Sequence, residues 1–362
     1  MTFDLSLLKD GGISWLDASG PESAVVLSTR VRLARNIQGY SFTVRTKEED
    51  RAAILAQVLE ATQHSDQLEE AMTFRLTELD HADRQLLHER HLVSKELAGL
   101  ETGKSMRSDA AVITDGHVGV MVNEEDHVRL QVLRSGFSLT EAYSDLERLD
   151  ADLGTRLSFA FHTEFGYLTS CPTNAGTGLR ASVLIHLPGL VLTKEIAKVL
   201  QGLSQVGLTF RGLYGEGSEV VGNFFQLSNQ TTLGKSEEEL LDHLGKIVRQ
   251  VVAYEREARE VLQRDAASVI ADKVWRAYGL LRYARSLSFD ETMNLLSGVR
   301  LGVGLNLVPN LSVYTLNKLL IFTQSAHLAD AEGRSLPERD YSIPRASYVR
   351  EQLEADEARS SS

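Results

Sequence analysis

The sequence predicts an α+β protein: a mixed, largely antiparallel sheet flanked by helices, followed by an all-helical C-terminal domain. Three observations predict it. Short apolar, β-branched runs recur between residues 110 and 228, the pattern of strands rather than of long helices. Asp115-Gly116 stands between two of these runs, and an Asp-Gly pair in that position turns a hairpin and pairs its flanks antiparallel. After Gln263 the strand-like runs stop, and the apolar residues fall on helical stripes instead.

In chain order, an apolar run opens at Ala24, and its alternation sets Thr29, Val31 and Leu33 on one side with Arg30 and Arg32 on the other. Residues 46–71 read as an amphipathic helix with Ile54, Val58 and Leu59 on one face, opened by Thr46 and Glu49 as a capping box. A second helix covers 79–92. Strands are predicted at 110–114, 118–123, 128–134, 159–168, 181–186, 207–213 and 224–228, with helices at 136–153, 194–205 and 237–261. In the tail, Val269, Ile270, Val274, Tyr278 and Leu281 form a helical stripe, and further helices are expected at 290–299, 311–327 and 345–353. The polar end reads as a flexible tail. A chain of 362 residues exceeds what one core usually organises, so the expected domains are 1–262, 263–354 and the tail 355–362.

Composition narrows the function. A formal charge of −12 opposes general binding to nucleic acid or to an anionic membrane, so any phosphate site must be a local cluster of arginines. A single cysteine excludes an internal disulfide and a cysteine-built metal site, and it fits a reducing cytosol. The N-terminus has no basic segment followed by an apolar one, and no run approaches a membrane span. The expected location is the cytoplasm. No spacing of His, Cys, Asp and Glu argues for a transition-metal site. Gly99-Leu100-Glu101-Thr102-Gly103-Lys104-Ser105 looks like a phosphate-binding Walker loop, but it has one residue too few between its glycines and follows a helical segment rather than a strand.

Two distant stretches carry the chemistry. Arg30 and Arg32 face the same way, and guanidinium groups held side by side are best accommodated around something anionic, with phosphate oxygens matching the Arg fork. The run from Cys171 to Arg180 contains Gly176 and Gly178, which let backbone approach a ligand.

With STRVRLARN at 28–36, NEEDHVRLQ at 123–131, CPTNAGTGLRASV at 171–183 and RGLYGEGSE at 211–219, in this order, the chain resembles the phosphagen (guanidino) kinase family. Its nearest branch by this resemblance is the bacterial protein-arginine kinases. Only residues 1–27 precede the first block, where the small-guanidine enzymes carry a helical domain. About a hundred residues extend past the point where those enzymes end, the size of a small domain.

The resemblance implies the guanidino-kinase catalytic fold and an ATP-dependent kinase for arginine side chains of proteins, working in protein quality control and the stress response. It implies ATP, with Mg²⁺, bound by Ser28, Thr29, Arg30, Val31, Arg32, His91, Arg129, Arg180, Ala181, Ser182, Val183, Leu184, Arg211, Gly212, Leu213, Tyr214, Gly215 and Glu216. Arg30, Arg32, Arg129, Arg180 and Arg211 match the phosphate-facing arginines. Glu125 matches the carboxylate that grips the substrate guanidinium and accepts its proton, Glu216 a second carboxylate on a mobile loop, and Cys171 a thiol with an electrostatic role on the substrate side. Implied partners are arginine-bearing protein substrates, a zinc-binding activator protein, a heat-shock transcriptional repressor, a Clp-type unfoldase or protease and a second copy of the chain.

One departure concerns regulation. The branch carries Arg-Asp-x-x-Arg-Ala as a phosphoarginine-binding allosteric motif. Here Arg339-Asp340 and Arg345-Ala346 are separated by Tyr341, Ser342, Ile343 and Pro344, which puts Asp340 and the allosteric control in question. Two alternatives stay open: a kinase for a free guanidino metabolite, and a phosphoarginine-binding regulatory module with weak catalysis. Glu125 and the five arginines argue against the second.

Overall fold

Strand β1 (Val26–Arg35) lies inside the main sheet, and along it every residue is buried except Arg30 and Arg32, which are half-buried on one face. The computed structural model describes residues 4–42, 45–101, 103, 105–213, 220–230, 232–333 and 336–360. Helix α1 (Glu48–Gln63) is followed by β2 (Met72–Arg75) and α2 (His81–Glu89). Strands β3 (Ala111–Thr114), β4 (Val118–Val122) and β5 (Val128–Ser135) precede α3 (Leu139–Gly154), and β6 (Phe161–His162) and β7 (Gly166–Tyr167) make a small hairpin. Strand β8 (Leu179–His186) leads to α4 (Pro188–Leu192) and α5 (Ile196–Gln205), then β9 (Leu208–Arg211) and β10 (Phe224–Asn229). The rest is helical: α6 (Glu237–Asp265), α7 (Ala267–Tyr283), α8 (Phe289–Gly304), α9 (Val313–Phe322), α10 (Ser325–Glu332) and α11 (Ser342–Ser360).

The eight-stranded sheet has the order β2-β3-β4-β5-β1-β8-β10-β9, and β6-β7 form a second sheet. From β2 to β5 every pairing is antiparallel, with Met121 opposite Arg129. Ala34 N–H donates to Gly178 O, and His186 N–H donates to Val25 O; the opposed order of these positions makes β1 and β8 antiparallel as well.

The chain divides into two compact units. One comprises 1–15, 29–182 and 228–245, and the other 16–28, 183–227 and 246–362. In the first, α1 packs on β4 and α3 on β5, burying Ile54, Val58, Leu146, Leu149 and Leu130. In the second, α7 packs on α8, α8 on α9, and α11 on both α7 and α9, around Val274, Leu281, Val299, Leu316, Leu319, Val349 and Leu353.

That second unit also contains a buried polar network. Arg300 donates to Ser23 O (2.7 Å), Ala24 O (3.1 Å) and His186 Nδ1 (3.0 Å), and His186 Nε2 lies 2.8 Å from Ser297 Oγ. Glu255 pairs with Arg259 Nε at 2.7 Å and accepts the N–H groups of Gly189 and Leu190. Burial and then Arg259 depress Arg300 to about 9.

Several elements differ from the sequence reading. The first helix runs 48–63 rather than 46–71: Thr46 Oγ1 donates to Ser41 O at 2.6 Å instead of capping. Residues 72–75 then form β2, an unforeseen strand. The single strand expected at 159–168 is the β6–β7 hairpin, turned by residues 163–165 and by Gly166 at φ +70. The helix expected at 311–327 breaks into α9 and α10, where Thr323 Oγ1 turns back to Leu319 O at 2.6 Å. The last helix is longer than 345–353. It opens at Ser342 with Pro344 in its first turn, where a missing N–H costs nothing. It also continues to Ser360 in place of the flexible tail expected from 355. There Glu357 accepts from Tyr278 Oη, and Glu354 pairs with Arg282 at 2.5 Å.

Candidate active site

The site is built from three adjacent strands. Because β5, β1 and β8 are neighbours in the sheet, Arg129, the pair Arg30 and Arg32, and Arg180 come side by side although they are far apart in sequence. The alternation in β1 works as expected: Thr29, Val31 and Leu33 are buried, and Arg30 and Arg32 are only half-buried on the opposite face. Thr29 is held in place by its own hydroxyl, which donates to Gly136 O (2.7 Å) and accepts from Ser138 N–H (3.0 Å). Ser182 Oγ donates to Arg30 O, and Arg180 Nη2 lies 3.4 Å from Ser228 Oγ.

Electrostatics mark this row as an anion site. Burial, then Arg180 and Arg129, push Arg30 down to about 10. Arg32 is pushed well below its ordinary value by burial and by Arg30, Arg129 and Arg180, with Glu124 offsetting only part. Arg32 Nε is buried and has no hydrogen-bond partner. Such a row of mutually repelling guanidinium groups with an orphaned donor fits a polyanion such as a nucleotide triphosphate, whose oxygens would satisfy both the charge and the donor.

The acidic turn between β4 and β5 faces Arg129. Asn123, at φ +59, closes it by donating its N–H to His127 O at 2.9 Å. Arg129 Nη1 lies 2.7 Å from the buried Glu124 carboxylate, and Nη2 lies 2.9 Å from Glu125 Oε2 and 3.9 Å from Asp126 Oδ2. Burial would raise the Glu124 carboxyl, but Arg129 and the Glu125 N–H outweigh it and hold it below its usual value. Burial likewise opposes the charge on Arg129, and Glu124, Asp126 and Glu125 more than restore it. Asp126 Oδ1 accepts from Asn36 Nδ2 (2.8 Å) and Ser170 N–H (2.6 Å), which ties the turn to the end of β1.

Glu125 differs from its neighbours in keeping its side chain 36% exposed. It can therefore meet a substrate while charge-paired. Asn174 Nδ2 approaches Glu125 Oε2 at 3.5 Å from the short turn Pro172–Asn174, which follows Cys171. The Cys171 thiol is half-buried, 3.0 Å from Thr173 Oγ1. Glu125, Asn174 and Cys171 thus belong to one neighbourhood, and Arg129 joins it to the arginine row.

His91 sits just past α2 with φ +60, a left-handed conformation that few non-glycine residues adopt. Its carbonyl accepts from Gln131 Nε2 at 2.9 Å, and its ring meets Trp15 edge-on at 5.2 Å. Burial, Arg30, His88 and Arg32 hold it neutral, far below its ordinary range. The structure thus associates His91 with Arg30 and Arg32.

Other expected residues are placed as follows. Ser28, Val31, Ala181, Ser182, Val183, Leu184 and Leu213 are buried. Arg211 ends β9 in the second unit, followed by the buried Gly212; Tyr214, Gly215 and Glu216 lie outside the described residues. Arg345 is 1% exposed, with Nε donating to Thr323 O at 2.7 Å and its guanidinium 5.9 Å from the Phe289 ring. Ala346 is fully buried and Asp340 is exposed.

The sequence reading did not single out Glu124, Asp126, Asn174 or Ser228. For Glu124 a signal existed: of three consecutive carboxylates, one must turn inward if the arginine that follows is to be charge-compensated.

Comparison with known proteins bears on this geometry. The family model described as ATP:guanido phosphotransferase, C-terminal catalytic domain, matches residues 53–258, and that of the Protein-arginine kinase McsB C-terminal domain matches residues 267–362. The chain is 45% identical over 345 residues to the protein-arginine kinase of Desulforamulus reducens, covering 94% of this chain and 95% of that one. It is 44% identical to that of Symbiobacterium thermophilum, over 94% and 96% of the two chains. Among solved structures, the duplicated taurocyamine kinase of Schistosoma mansoni with bound transition-state analog components superposes with a TM-score of 0.58 at 25% identity, over 74% of this chain and 41% of that one. A lombricine kinase superposes at 0.55 and 21% identity over 70% of each chain, which speaks to the fold.

Proposed function

The chain belongs to the ATP:guanido phosphotransferase family, in its protein-arginine kinase branch, and from that premise we propose that it transfers the γ-phosphoryl group of ATP to arginine side chains of proteins. The observation that carries the reading is Glu125: a half-exposed carboxylate 2.9 Å from Arg129 at the edge of a four-arginine row. A carboxylate so placed grips an incoming guanidinium while the row holds phosphate.

The chemistry asked of these residues is limited. Arg30, Arg32, Arg129 and Arg180 hold the phosphates, and the surplus positive charge favours the transition state, where negative charge spreads over the equatorial oxygens. Glu125 orients one guanidinium nitrogen in line with the γ-phosphorus and accepts its proton. A P–N bond forms as the bond to the bridging oxygen breaks, and ADP leaves with that electron pair. Cys171, beside the acceptor, contributes electrostatically, with no phospho-enzyme. Mg²⁺ would arrive with ATP, held mostly by phosphate and water oxygens, and would supply charge neutralisation of the transferring phosphoryl group.

Arg211 is assigned to the same phosphate set, and Glu216 to a second carboxylate at the acceptor. Residues 1–262 are read as the phosphotransferase domain and 263–354 as a dimerisation and regulatory domain. A homodimer, a cytoplasmic location, a zinc-binding activator, a heat-shock repressor as substrate and a Clp-type protease downstream complete the proposal, as parts of a protein quality-control and stress role.

Incubation with labelled ATP and either an unfolded arginine-rich protein or free arginine tests the reading. Acid-labile phosphate on the protein, lost in Glu125→Gln, is expected. Label on free arginine alone would reassign the enzyme to metabolite phosphorylation, and no label on either would remove the kinase reading.

A further inference from the structure

The β6–β7 hairpin holds two large apolar side chains in solvent. Phe161 is 59% exposed and Phe165 47%, and the whole run Phe161-His162-Thr163-Glu164-Phe165 is exposed. A lone exposed phenylalanine is ordinary. Here two stand within five residues, Phe161 on the face of its register partner Tyr167 and Phe165 on the face of His162, so each side of the tip presents an exposed aromatic pair, and exposed apolar surface of this kind marks interaction sites. The rings are also ordered: His162 stacks on Phe165 at 5.0 Å, and Phe161 packs edge-on against Tyr167 at 5.3 Å.

The tip is fastened to the acceptor side of the site. Tyr167 and Gly176 exchange backbone hydrogen bonds of 2.8 and 3.2 Å. The two backbones approach so closely that a Cβ on Gly166 would stand 2.5 Å from Gly176 O. Beneath Tyr167, the Arg35 guanidinium lies 3.5 Å from the ring centroid. It is fixed in turn by Asp150 at 2.7 and 2.9 Å and by the carbonyls of Ala34 and Thr177. The anchor Gly176 is two residues beyond Asn174, which reaches Glu125, and two residues span at most about 7 Å.

We propose that the Phe161–Phe165 tip is a docking surface for the polypeptide carrying the target arginine, taking an apolar side chain a few residues away from that arginine. The proposal rests on the reading of the chain as a protein-arginine kinase and deepens it. Continuity with the acceptor site supplies the occupant: the Tyr167–Gly176 pairing joins the hairpin to the segment whose Asn174 approaches Glu125, so a chain extending from a guanidinium held at Glu125 leads toward the tip. A free guanidino metabolite has no flanking residues to place there. Glu164, exposed between the two phenylalanines, suits the basic surroundings of an arginine-rich segment. Rigid aromatic anchors lose little entropy on binding, which makes them effective at low contact area.

The test uses the full chain and two peptides with one arginine each, bearing leucines or serines at three to five residues on either side. Wild type is expected to show a KM for the leucine peptide about tenfold lower, the effect of a modest aromatic anchor. In Phe161→Ser/Phe165→Ser that preference should vanish, with the KM for ATP within about twofold and an unchanged thermal midpoint, as expected for exposed positions. Equal KM values in wild type, or a preference that survives in the double variant, would overturn the docking surface alone. Failure of wild type to phosphorylate either peptide or any protein would sink the kinase reading, and the docking surface with it.

Discussion

Arg129 Nη2 lies 2.9 Å from Glu125 Oε2, while Nη1 of the same guanidinium lies 2.7 Å from the buried Glu124 carboxylate. One arginine thus spans an interior carboxylate that is permanently its partner and a half-exposed one that can exchange it for substrate. The arginine row and the acidic turn are joined through this single side chain.

Glu125→Gln should therefore cut turnover by on the order of a hundred- to ten-thousand-fold, the usual cost of losing a positioned base. ATP affinity should stay close to wild type, because Glu124 keeps Arg129 compensated. Glu124→Gln should behave differently and lower the thermal midpoint, since it removes the buried partner of a buried cation. Measured kcat, KM for ATP and unfolding curves of the two variants check the division; equal behaviour would contradict it.

Arg180→Ala and Arg211→Ala should depress kcat more than they weaken ATP binding. A row in which Arg30 and Arg32 are already driven below their ordinary values by like charge gains little ground-state affinity from one more cation, and its surplus serves the transition state. Cys171→Ser should be milder than either. Equal losses in kcat and affinity would mean simple anchoring, and a trapped phosphocysteine would overturn direct transfer.

Stability should fall as pH drops below about 6.5. His186 is held neutral by burial and by Arg300 and Arg259, well below its ordinary value. Its Nδ1 accepts from Arg300, so a second proton would face a cation. With the folded value depressed, the unfolded chain binds more protons below 6.5, and stability that is full above that pH is lost on acidification by up to about 1.4 kcal/mol per pH unit. His91 and His127, also lowered first by burial, add to the slope. Urea unfolding from pH 7.5 to 5 measures it, and His186→Gln should flatten it by about one proton. An unchanged slope would exclude His186 as a source.

Truncation at Gln263 should yield a poorly stable protein. Arg300 pins the carbonyls of Ser23 and Ala24 and the ring of His186, and the second compact unit includes 16–28 and 183–227 together with the helical tail. Cutting within α6 strips that network and leaves His186 and these carbonyls without Arg300, and each buried acceptor left unsatisfied costs about 1–3 kcal/mol. A truncated chain with a wild-type thermal midpoint would refute this.

Much of the site was legible because it is written in alternation and in blocks. Arg30 and Arg32 were placed on one face by period two, and the acidic turn and the Cys171 loop were found where their motifs stand. What escaped depended on tertiary context. The odd-numbered aromatics from Phe159 to Tyr167 imitate one strand, and only the fold of residues 163–166 into a turn makes them a hairpin. Pro344 reads as a helix breaker until the helix is known to start at Ser342. The inward turn of Glu124 and outward turn of Glu125 differ by one residue, and only the position of Arg129 across the turn separates them.

The same helix start alters the expectation for regulation. Residues 342–344 are the first turn of α11, so no loop is extruded to bring Asp340 next to Arg345. Asp340 is exposed on the preceding short turn, while Arg345 is buried with Nε on Thr323 O and Nη1 3.3 Å from Leu287 O. An arginine so engaged has less to offer a phosphoryl group, and free phosphoarginine should activate the kinase weakly or not at all. Arg345→Ala should instead lower the thermal midpoint, because the carbonyls it satisfies would be left buried. Titrating activity against phosphoarginine in wild type and in Arg345→Lys, which keeps a donor at the site, separates the two roles. Strong activation that is lost in the lysine variant, with its thermal midpoint intact, would mean that Arg345 binds the ligand and that the insertion has not closed the pocket.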